Sequence, residues 1–185
     1  MDSTFYALGI LMHGNLSKDF GEINVDQMAE GLKAAQAGTA TMTPEEANAK
    51  IQAFIQNRLA KDGQDFLDKN AQRPEVKVTD SGLQYEVLKE GTGASPTATE
   101  TVEVHYHGTL IDGTVFDSSV DRGQTIEFPL NRVIPGWTEG VQLMKEGAKY
   151  RFFIPYNLAY GAQGSQPKIP PYAALIFDVE LFQVK

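Results

Sequence analysis

The 185-residue sequence predicts an α+β fold, in which a helical N-terminal region precedes an antiparallel sheet wrapped around one short helix. Up to about Arg73 the apolar residues recur at spacings of three and four, which is typical of amphipathic helices. After Pro74 the spacing changes to two, which indicates half-buried strands. We therefore expect a helical region over 1–42, a long linking helix over 43–73 and a sheet domain over 74–185.

Charge and composition exclude several classes of function. The chain has 16 Lys and Arg against 24 Asp and Glu, and its net charge of −8 argues against nucleic acid or an anionic membrane as the main partner. Without cysteine it has no disulfides, thiolate metal sites or cysteine nucleophile. No apolar stretch is long enough to span a membrane, and no secretory leader is recognisable. We expect a cytoplasmic protein, with a periplasmic one as the alternative if a leader has been removed.

Two short helices are predicted first. The first covers about residues 3–19, with Ser3 as its expected N-cap. Its apolar face consists of Phe5, Leu8, Met12 and Leu16. The second starts after Asn24, with Gln27 in the capping-box position, and ends at Gly38. Its apolar face consists of Val25, Met28, Leu32 and Ala35.

The third helix has the clearest start, because Thr43-Pro44-Glu45-Glu46 combines a Thr cap, Pro at the first helical position and Glu at N3. Only Gly63 interrupts it before Pro74, and it is too polar for a core helix. Three such helices bury little apolar surface alone. We therefore expect the first two to pair with a second copy of the chain, with the third as a stalk. The alternative is that they fold back onto the second half.

The strands of the second half follow from the period of two. The alternation of Leu83, Tyr85 and Val87 is broken at Leu88, and Lys89 ends this run. A second strand carries Val102, Val104 and Tyr106, and Asp112-Gly113 predicts a hairpin to Thr114-Val115-Phe116. Further strands are predicted over 124–129, 148–155 and 173–184, with a short helix over 137–144 that follows Pro135-Gly136.

Several segments of this half place aromatic, aliphatic and acidic residues beside turns, where pockets form. In order, they are Val104-His105-Tyr106-His107-Gly108, Gly113-Thr114-Val115-Phe116-Asp117-Ser118-Ser119, Val133-Ile134-Pro135-Gly136-Trp137, Leu158-Ala159-Tyr160-Gly161 and Ile169-Pro170-Pro171. Followed by Leu175-Ile176-Phe177-Asp178-Val179-Glu180-Leu181, they resemble the FKBP-type peptidyl-prolyl cis-trans isomerases over about residues 80–185. The helical N-terminal part resembles the dimeric bacterial subgroup that includes the macrophage infectivity potentiator proteins.

The resemblance implies an isomerase that accelerates Xaa-Pro isomerisation in unfolded or folding polypeptides. It implies a homodimer that needs no cofactor or metal and is inhibited by macrolides such as rapamycin and tacrolimus. The catalytic residues that it implies are Tyr106, Phe116, Asp117, Trp137 and Tyr160. The substrate-binding residues are Ile126, Phe128, Val133, Ile134, Ile169 and Phe177. Within this set Trp137 is the expected pocket floor, and the Tyr160 hydroxyl and the Ile134 backbone N–H are expected to bind substrate carbonyls.

Other interpretations stay open at this point. Trp137, Phe128 and Phe177 could be ordinary core residues, and Asp117 could serve only a turn or a cap. A holdase chaperone that grips unfolded chains with a V-shaped dimer is the alternative function, and an inactive interaction domain is a third. His105 and His107 share one face of a strand and could ligate a metal, but the sequence offers no third ligand.

Overall fold

The structure, a computed structural model, describes residues 3–185 apart from the side chain at position 19. It contains two compact units, one that ends at Asn57 and one over Arg58–Lys185. None of the helices in the described residues has the length and apolar character needed to cross a membrane.

Three helices occupy the N-terminal part, and their bounds are Thr4–Phe20 for α1, Val25–Ala37 for α2 and Pro44–Asn70 for α3. The predicted capping box of α3 forms, whereas α2 has only the Asn24 half of its predicted capping box. Asn24 accepts a hydrogen bond of 2.9 Å from the Gln27 backbone N–H, and Thr43 exchanges two hydrogen bonds with Glu46. Ser3 does precede α1, but its side chain makes no capping hydrogen bond, so the prediction is right for position only.

The apolar residues of α1 and α2 remain largely exposed. Phe5 is 80% exposed, Leu11 67% and Leu32 62%, and no residue of α2 is buried. One aromatic contact forms within this unit, where Phe20 stacks on Phe54 at 5.7 Å between ring centroids. The stripes that predict amphipathic helices are therefore present without a buried partner in the described residues.

The C-terminal turns of α3 belong to the second unit and pack there. Leu67 and Asn70 are buried, and the Phe66 ring lies 6.0 Å from that of Phe153. The helix ends at Asn70, before the predicted end at Arg73, because the chain turns there. The expectation that the whole helix is too polar for a core is wrong for these last turns.

The second unit is built on a seven-stranded antiparallel sheet. The strands are β1 Val76–Val78, β2 Gln84–Lys89, β3 Thr101–Leu110, β4 Val115–Ser118, β5 Ile126–Pro129, β6 Lys149–Ile154 and β7 Leu175–Val184. They lie in the order β1-β2-β6-β7-β3-β4, and β5 pairs with the first half of β3. The predicted strands are all present, and only the three-residue β1 was missed.

One short helix, α4 over Pro135–Val141, packs on the inner face of this sheet. It begins two residues earlier than predicted, because Pro135 occupies the first helical position, where its missing N–H costs nothing. Burial alternates along β3, so Val102, Val104 and Tyr106 face the core while the residues between them face outward. The predicted α+β class is confirmed.

Candidate active site

All of the predicted site residues line one pocket of about 910 Å³ on the inner face of the sheet, in the size range of ligand sites. They come from β3, β4, β5, β7, α4 and the loops beside them, which are far apart in the chain. The predicted residues found there are Tyr106, Phe116, Asp117, Ile126, Phe128, Val133, Ile134, Trp137, Tyr160, Ile169 and Phe177.

Trp137 lies in the first turns of α4 and is 4% exposed. Its ring meets those of Tyr106, Phe128 and Phe177 edge to face, at centroid distances of 5.4, 5.7 and 5.3 Å. Such pairs stabilise the packing beyond the area that they bury. No acceptor in the described residues reaches the buried indole N–H, so packing alone fixes the position of this ring.

Gly108 allows two of the pocket walls to meet. Phe116 and Phe177 pack at 5.3 Å between centroids, directly over the backbone of β3. A Cβ at Gly108 would lie 2.7 Å from the Phe116 ring and 2.8 Å from the Phe177 ring, which is closer than side-chain contacts allow. The wall therefore depends on the absence of a side chain at this position.

The polar side of the pocket is a hydrogen-bonded group formed by Tyr106, Asp117 and Arg122. The Tyr106 hydroxyl donates to Asp117, and the Arg122 guanidinium donates to Asp117 and, at 2.9 Å, to the Tyr106 oxygen. Burial alone raises the pKa of Asp117, but these hydrogen bonds and the guanidinium charge outweigh it and hold the pKa below its usual value. Asp117 is thus an ionised carboxylate at neutral pH.

The Tyr160 hydroxyl and the Ile134 backbone N–H are pocket donors that have no hydrogen-bond partner among the described residues. The Tyr160 hydroxyl makes no hydrogen bond and the side chain is 40% exposed. Burial raises the pKa of Tyr160, with a further contribution from the charge of Asp117, so the hydroxyl keeps its proton. The Ile134 backbone N–H, at the N-cap of α4, is also unpaired within residues 3–185. Both donors are free to bind a carbonyl oxygen.

The sequence over 93–182 matches the family model described as FKBP-type peptidyl-prolyl cis-trans isomerase, and residues 1–87 match the domain amino-terminal to it. A relative from Neisseria meningitidis serogroup B that carries the name FkpA is 44% identical, over 100% of this chain and 74% of its own length. The chain belongs to the FKBP-type peptidyl-prolyl cis-trans isomerases. The family and the enzyme class that the motifs predict are confirmed.

Other FKBP-type proteins are similar over different shares of their length. FkpA of Aeromonas hydrophila is 54% identical over 75% of this chain, and the match spans 54% of that relative. The outer membrane protein MIP of Legionella longbeachae is 37% identical, over 100% of this chain and 85% of its own. The crystal structure of FkpA from Escherichia coli has a TM-score of 0.66 and 36% identity, and covers 99% of this chain and 95% of that one.

The sequence interpretation missed the cations of this FKBP-type pocket, which are Arg122, Arg132 and Lys168. Arg122 could have been found from its position five residues after Asp117, within the turn that follows β4. Lys168 donates to the Phe116 carbonyl at 2.9 Å and so joins the loop before β7 to β4. Nothing local in the sequence indicates that contact.

The two histidines on the outer face of β3 contact serine hydroxyls. The Nδ1 atoms of His105 and His107 lie 3.0 and 2.9 Å from the hydroxyls of Ser119 and Ser118. Within residues 3–185, no group of three or more metal-ligating side chains is assembled. These histidines therefore connect β3 to the segment that follows Asp117.

Proposed function

We propose that the pocket binds an Xaa-Pro segment with the proline ring against Trp137 and accelerates its cis–trans isomerisation without covalent chemistry. The observation that carries this proposal is the cluster of aromatic rings packed around Trp137. The pocket that these rings line is open to solvent on one side and is bordered by Asp117, Tyr160 and Ile134. The site residues predicted from the resemblance are retained in the proposal with the same roles.

The chemistry requires only differential binding. Rotation about the imide bond has a barrier of about 18–20 kcal/mol, because resonance gives the C–N bond partial double-bond character. The planar ground state is the more polar one, since resonance places charge on the carbonyl oxygen. Transfer from water into an apolar pocket destabilises that state relative to the twisted one. Tighter binding of the twisted form is sufficient for catalysis.

The polar groups at the border of the pocket orient the substrate. The Tyr160 hydroxyl and the Ile134 N–H are unpaired donors among the described residues, so each can bind a substrate carbonyl. Asp117 is held ionised and can only accept, so its substrate partner is an N–H group. Donors and acceptor together fix the backbone on both sides of the proline and leave the imide free to rotate.

The first experiment is the cis-to-trans rate of a short Xaa-Pro peptide, with and without rapamycin. Acceleration that rapamycin abolishes is the expected result. Asp117→Ala and Trp137→Leu should each lower kcat/KM by about tenfold or more at unchanged fold, a loss within the range of single positioned groups. Lys145→Gln is the matched surface control, since Lys145 is exposed outside the pocket. Unchanged activity in both pocket variants would refute the site assignment.

The exposed faces of α1 and α2 support a second candidate activity, that of a dimeric holdase. Phe5, Tyr6, Leu11 and Leu32 are all more than half exposed. Exposed apolar patches are typical of interaction sites. A homodimer formed by 1–42, with 43–73 as the linker and 74–185 as the isomerase, would present two pockets to one unfolded chain. Two linked sites raise the effective concentration on a client with several prolines.

Light scattering tests the dimer, and Leu8→Glu combined with Leu32→Glu should produce monomers with unchanged activity on short peptides. Aggregation of a folding client distinguishes the holdase, since monomers should protect it less than the wild-type chain. A chain that is already monomeric would refute the homodimer.

We also propose that the protein acts outside the cytoplasm, which replaces the cytoplasmic expectation with its periplasmic alternative. The support is the Legionella longbeachae relative, which is named an outer membrane protein. Fractionation of cells that express the full-length gene tests the compartment. Recovery in the cytoplasmic fraction would contradict it.

A further inference from the structure

The charged side chains that line the pocket are mostly cations. Arg122, Arg132 and Lys168 lie there with Asp117, which is the one carboxylate in the described lining. The chain as a whole has a net charge of −8, so the pocket has the opposite sign from the rest of the molecule. A cleft lined by one sign of charge selects ligands of the other sign.

Arg122 contributes little to this local excess of positive charge, because its guanidinium forms an ion pair with Asp117. Its other contacts in the pocket are with Tyr106, a 2.9 Å hydrogen bond to the hydroxyl oxygen and a position 5.7 Å over the ring centroid. Arg122 is therefore a positioning residue for the carboxylate. The net charge of the pocket depends on the two other cations.

Lys168 has no ion-pair partner in the described part of the chain. Its Nζ donates at 2.9 Å to the backbone carbonyl of Phe116, which is a neutral acceptor. An ammonium group has three donors, so this contact fixes the side chain at the pocket and leaves two N–H bonds for a ligand. The one hydrogen bond of Lys168 within the described residues is this contact with a neutral acceptor.

Arg132 is exposed at the end of a 3-10 turn over Leu130–Arg132, directly before the pocket residues Val133 and Ile134. Its side chain makes no hydrogen bond or ion pair within the described part of the chain. A guanidinium presents five donors in a planar fork that matches a carboxylate. The turn thus carries an unpaired cation beside the N–H of Ile134, where a substrate backbone would bind.

We propose that Arg132 and Lys168 give the isomerase a preference for Xaa-Pro segments that carry Asp or Glu next to or near the proline. This inference rests on the proposed function, because it concerns the same pocket. The two cations come from the turn before α4 and the loop before β7, so they border the pocket from separate segments. A substrate with Lys at the same positions would meet like charges, and specificity is the difference between the two cases.

The test compares peptides that share one Xaa-Pro core. Each peptide carries Glu, Gln or Lys at a single position, which is one of the two residues before the core or one of the two residues after it. At about 20 mM NaCl, where screening is weak, kcat/KM should fall from Glu to Gln to Lys by about threefold per step at one position or more. The ratio between the Glu and Lys peptides should shrink at about 300 mM NaCl, because salt screens exposed charges.

Variants assign the preference to the two side chains. The double variant Arg132→Gln, Lys168→Gln should bring the Glu-to-Lys ratio close to one, while Arg132→Lys alone should keep it above one. Lys145→Gln removes the same charge from an exposed site outside the pocket and should leave the ratio unchanged. The ratio is the readout, so a general loss of activity in one variant does not imitate the result.

The peptide rates distinguish failure of the charge preference from failure of the proposed function. Equal rates on the Glu and Lys peptides, with the Gln peptide still accelerated, would overturn this inference and leave the proposed function intact. A preference for Glu that survives in the double variant would also overturn it, because other groups would then cause it. Failure to accelerate any of the peptides would refute the proposed function itself.

Discussion

The hydroxyl of Tyr106 donates a hydrogen bond to the carboxylate of Asp117, and both groups accept from Arg122. Tyr106 is on β3 and Asp117 on β4, so the contact joins two neighbouring strands at the border of the pocket. Burial raises the pKa of Tyr106, and its hydrogen bond to Asp117 raises it further, so the hydroxyl remains a donor at neutral pH. Tyr106 and Arg122 together keep Asp117 ionised.

Replacement of Tyr106 by Phe should make activity more sensitive to acid. The substitution removes a donor that lowers the pKa of Asp117, so this pKa rises and the carboxylate takes up its proton at a higher pH. The wild-type kcat/KM should be nearly constant from about pH 5 to 8, because the pKa of Asp117 lies below the usual value of about 4. In Tyr106→Phe the loss on acidification should begin at a higher pH.

Arg122→Gln should also make the loss of kcat/KM on acidification begin at a higher pH, since it removes a hydrogen bond to Asp117 and a positive charge beside it. Tyr85→Phe is the matched control, because it deletes a tyrosine hydroxyl on β2, outside the pocket. A pH profile of Tyr106→Phe that overlays the wild type would contradict the claim that the Tyr106 hydrogen bond keeps Asp117 ionised for catalysis.

Gly108→Ala should destabilise the second unit by about 1–3 kcal/mol, a typical cost of overpacking. The new Cβ would lie 2.7 Å from the Phe116 ring, so the pocket wall must move, and kcat/KM should fall as well. Denaturation followed by the fluorescence of Trp137, the one tryptophan in the sequence, measures this unit. Gly31→Ala in α2, with open space around the added Cβ, should leave the denaturation midpoint reported by Trp137 fluorescence unchanged. Equal midpoints for all three chains would contradict the packing argument.

Thr138→Val should weaken substrate binding without removing any atom that lines the pocket. The Thr138 hydroxyl donates at 2.5 Å to the Leu130 carbonyl and so closes the segment that presents Arg132 and the Ile134 N–H. Loss of this bond leaves a buried carbonyl unpaired, which costs about 1–3 kcal/mol. We expect a raised KM with a smaller change in kcat, and recovery in Thr138→Ser. A Thr138→Ser variant as impaired as Thr138→Val would exclude the hydrogen bond as the cause.

The sheet and most of the pocket were predictable because their signals are local. Alternation fixes which face of β3 carries Tyr106, and Asp112-Gly113 fixes the hairpin to β4, where Gly113 adopts a φ of 86°. The order of Phe116, Trp137 and Tyr160 along the chain then made the family recognisable. Three-residue β1 escaped because a period of two cannot be read from so few positions.

Other features depend on tertiary contacts that no local pattern indicates. The end of α3 is as polar as the rest of the helix, yet Asn70 is buried because its amide pairs with that of Gln84. Lys168 and Phe116 are 52 positions apart and meet only when β4 and the loop before β7 have packed. The charge of the pocket therefore became visible only in the folded chain.

A chain of residues 58–185 should retain the full activity on short peptides, whereas 74–185 should be much less stable. The second unit begins at Arg58, and Leu67 and Asn70 of α3 are buried within it. Removal of 58–73 deprives the buried Gln84 side chain of both of its partners, the Asn70 amide and the Leu67 carbonyl. It also uncovers Phe153, so we expect a loss of about 3 kcal/mol or more in the free energy of unfolding.

Trp137 fluorescence in denaturant gives the stabilities of both fragments, and light scattering gives their oligomeric states. If 1–42 forms the dimer, both fragments are monomers, and the difference in stability between them reflects only the last turns of α3. Gln84→Leu separates the two contributions, because in 74–185 it removes the unpaired amide and should recover part of the loss. Equal stability of the two fragments would show that α3 acts as a stalk along its whole length and that its buried residues contribute nothing to the isomerase domain.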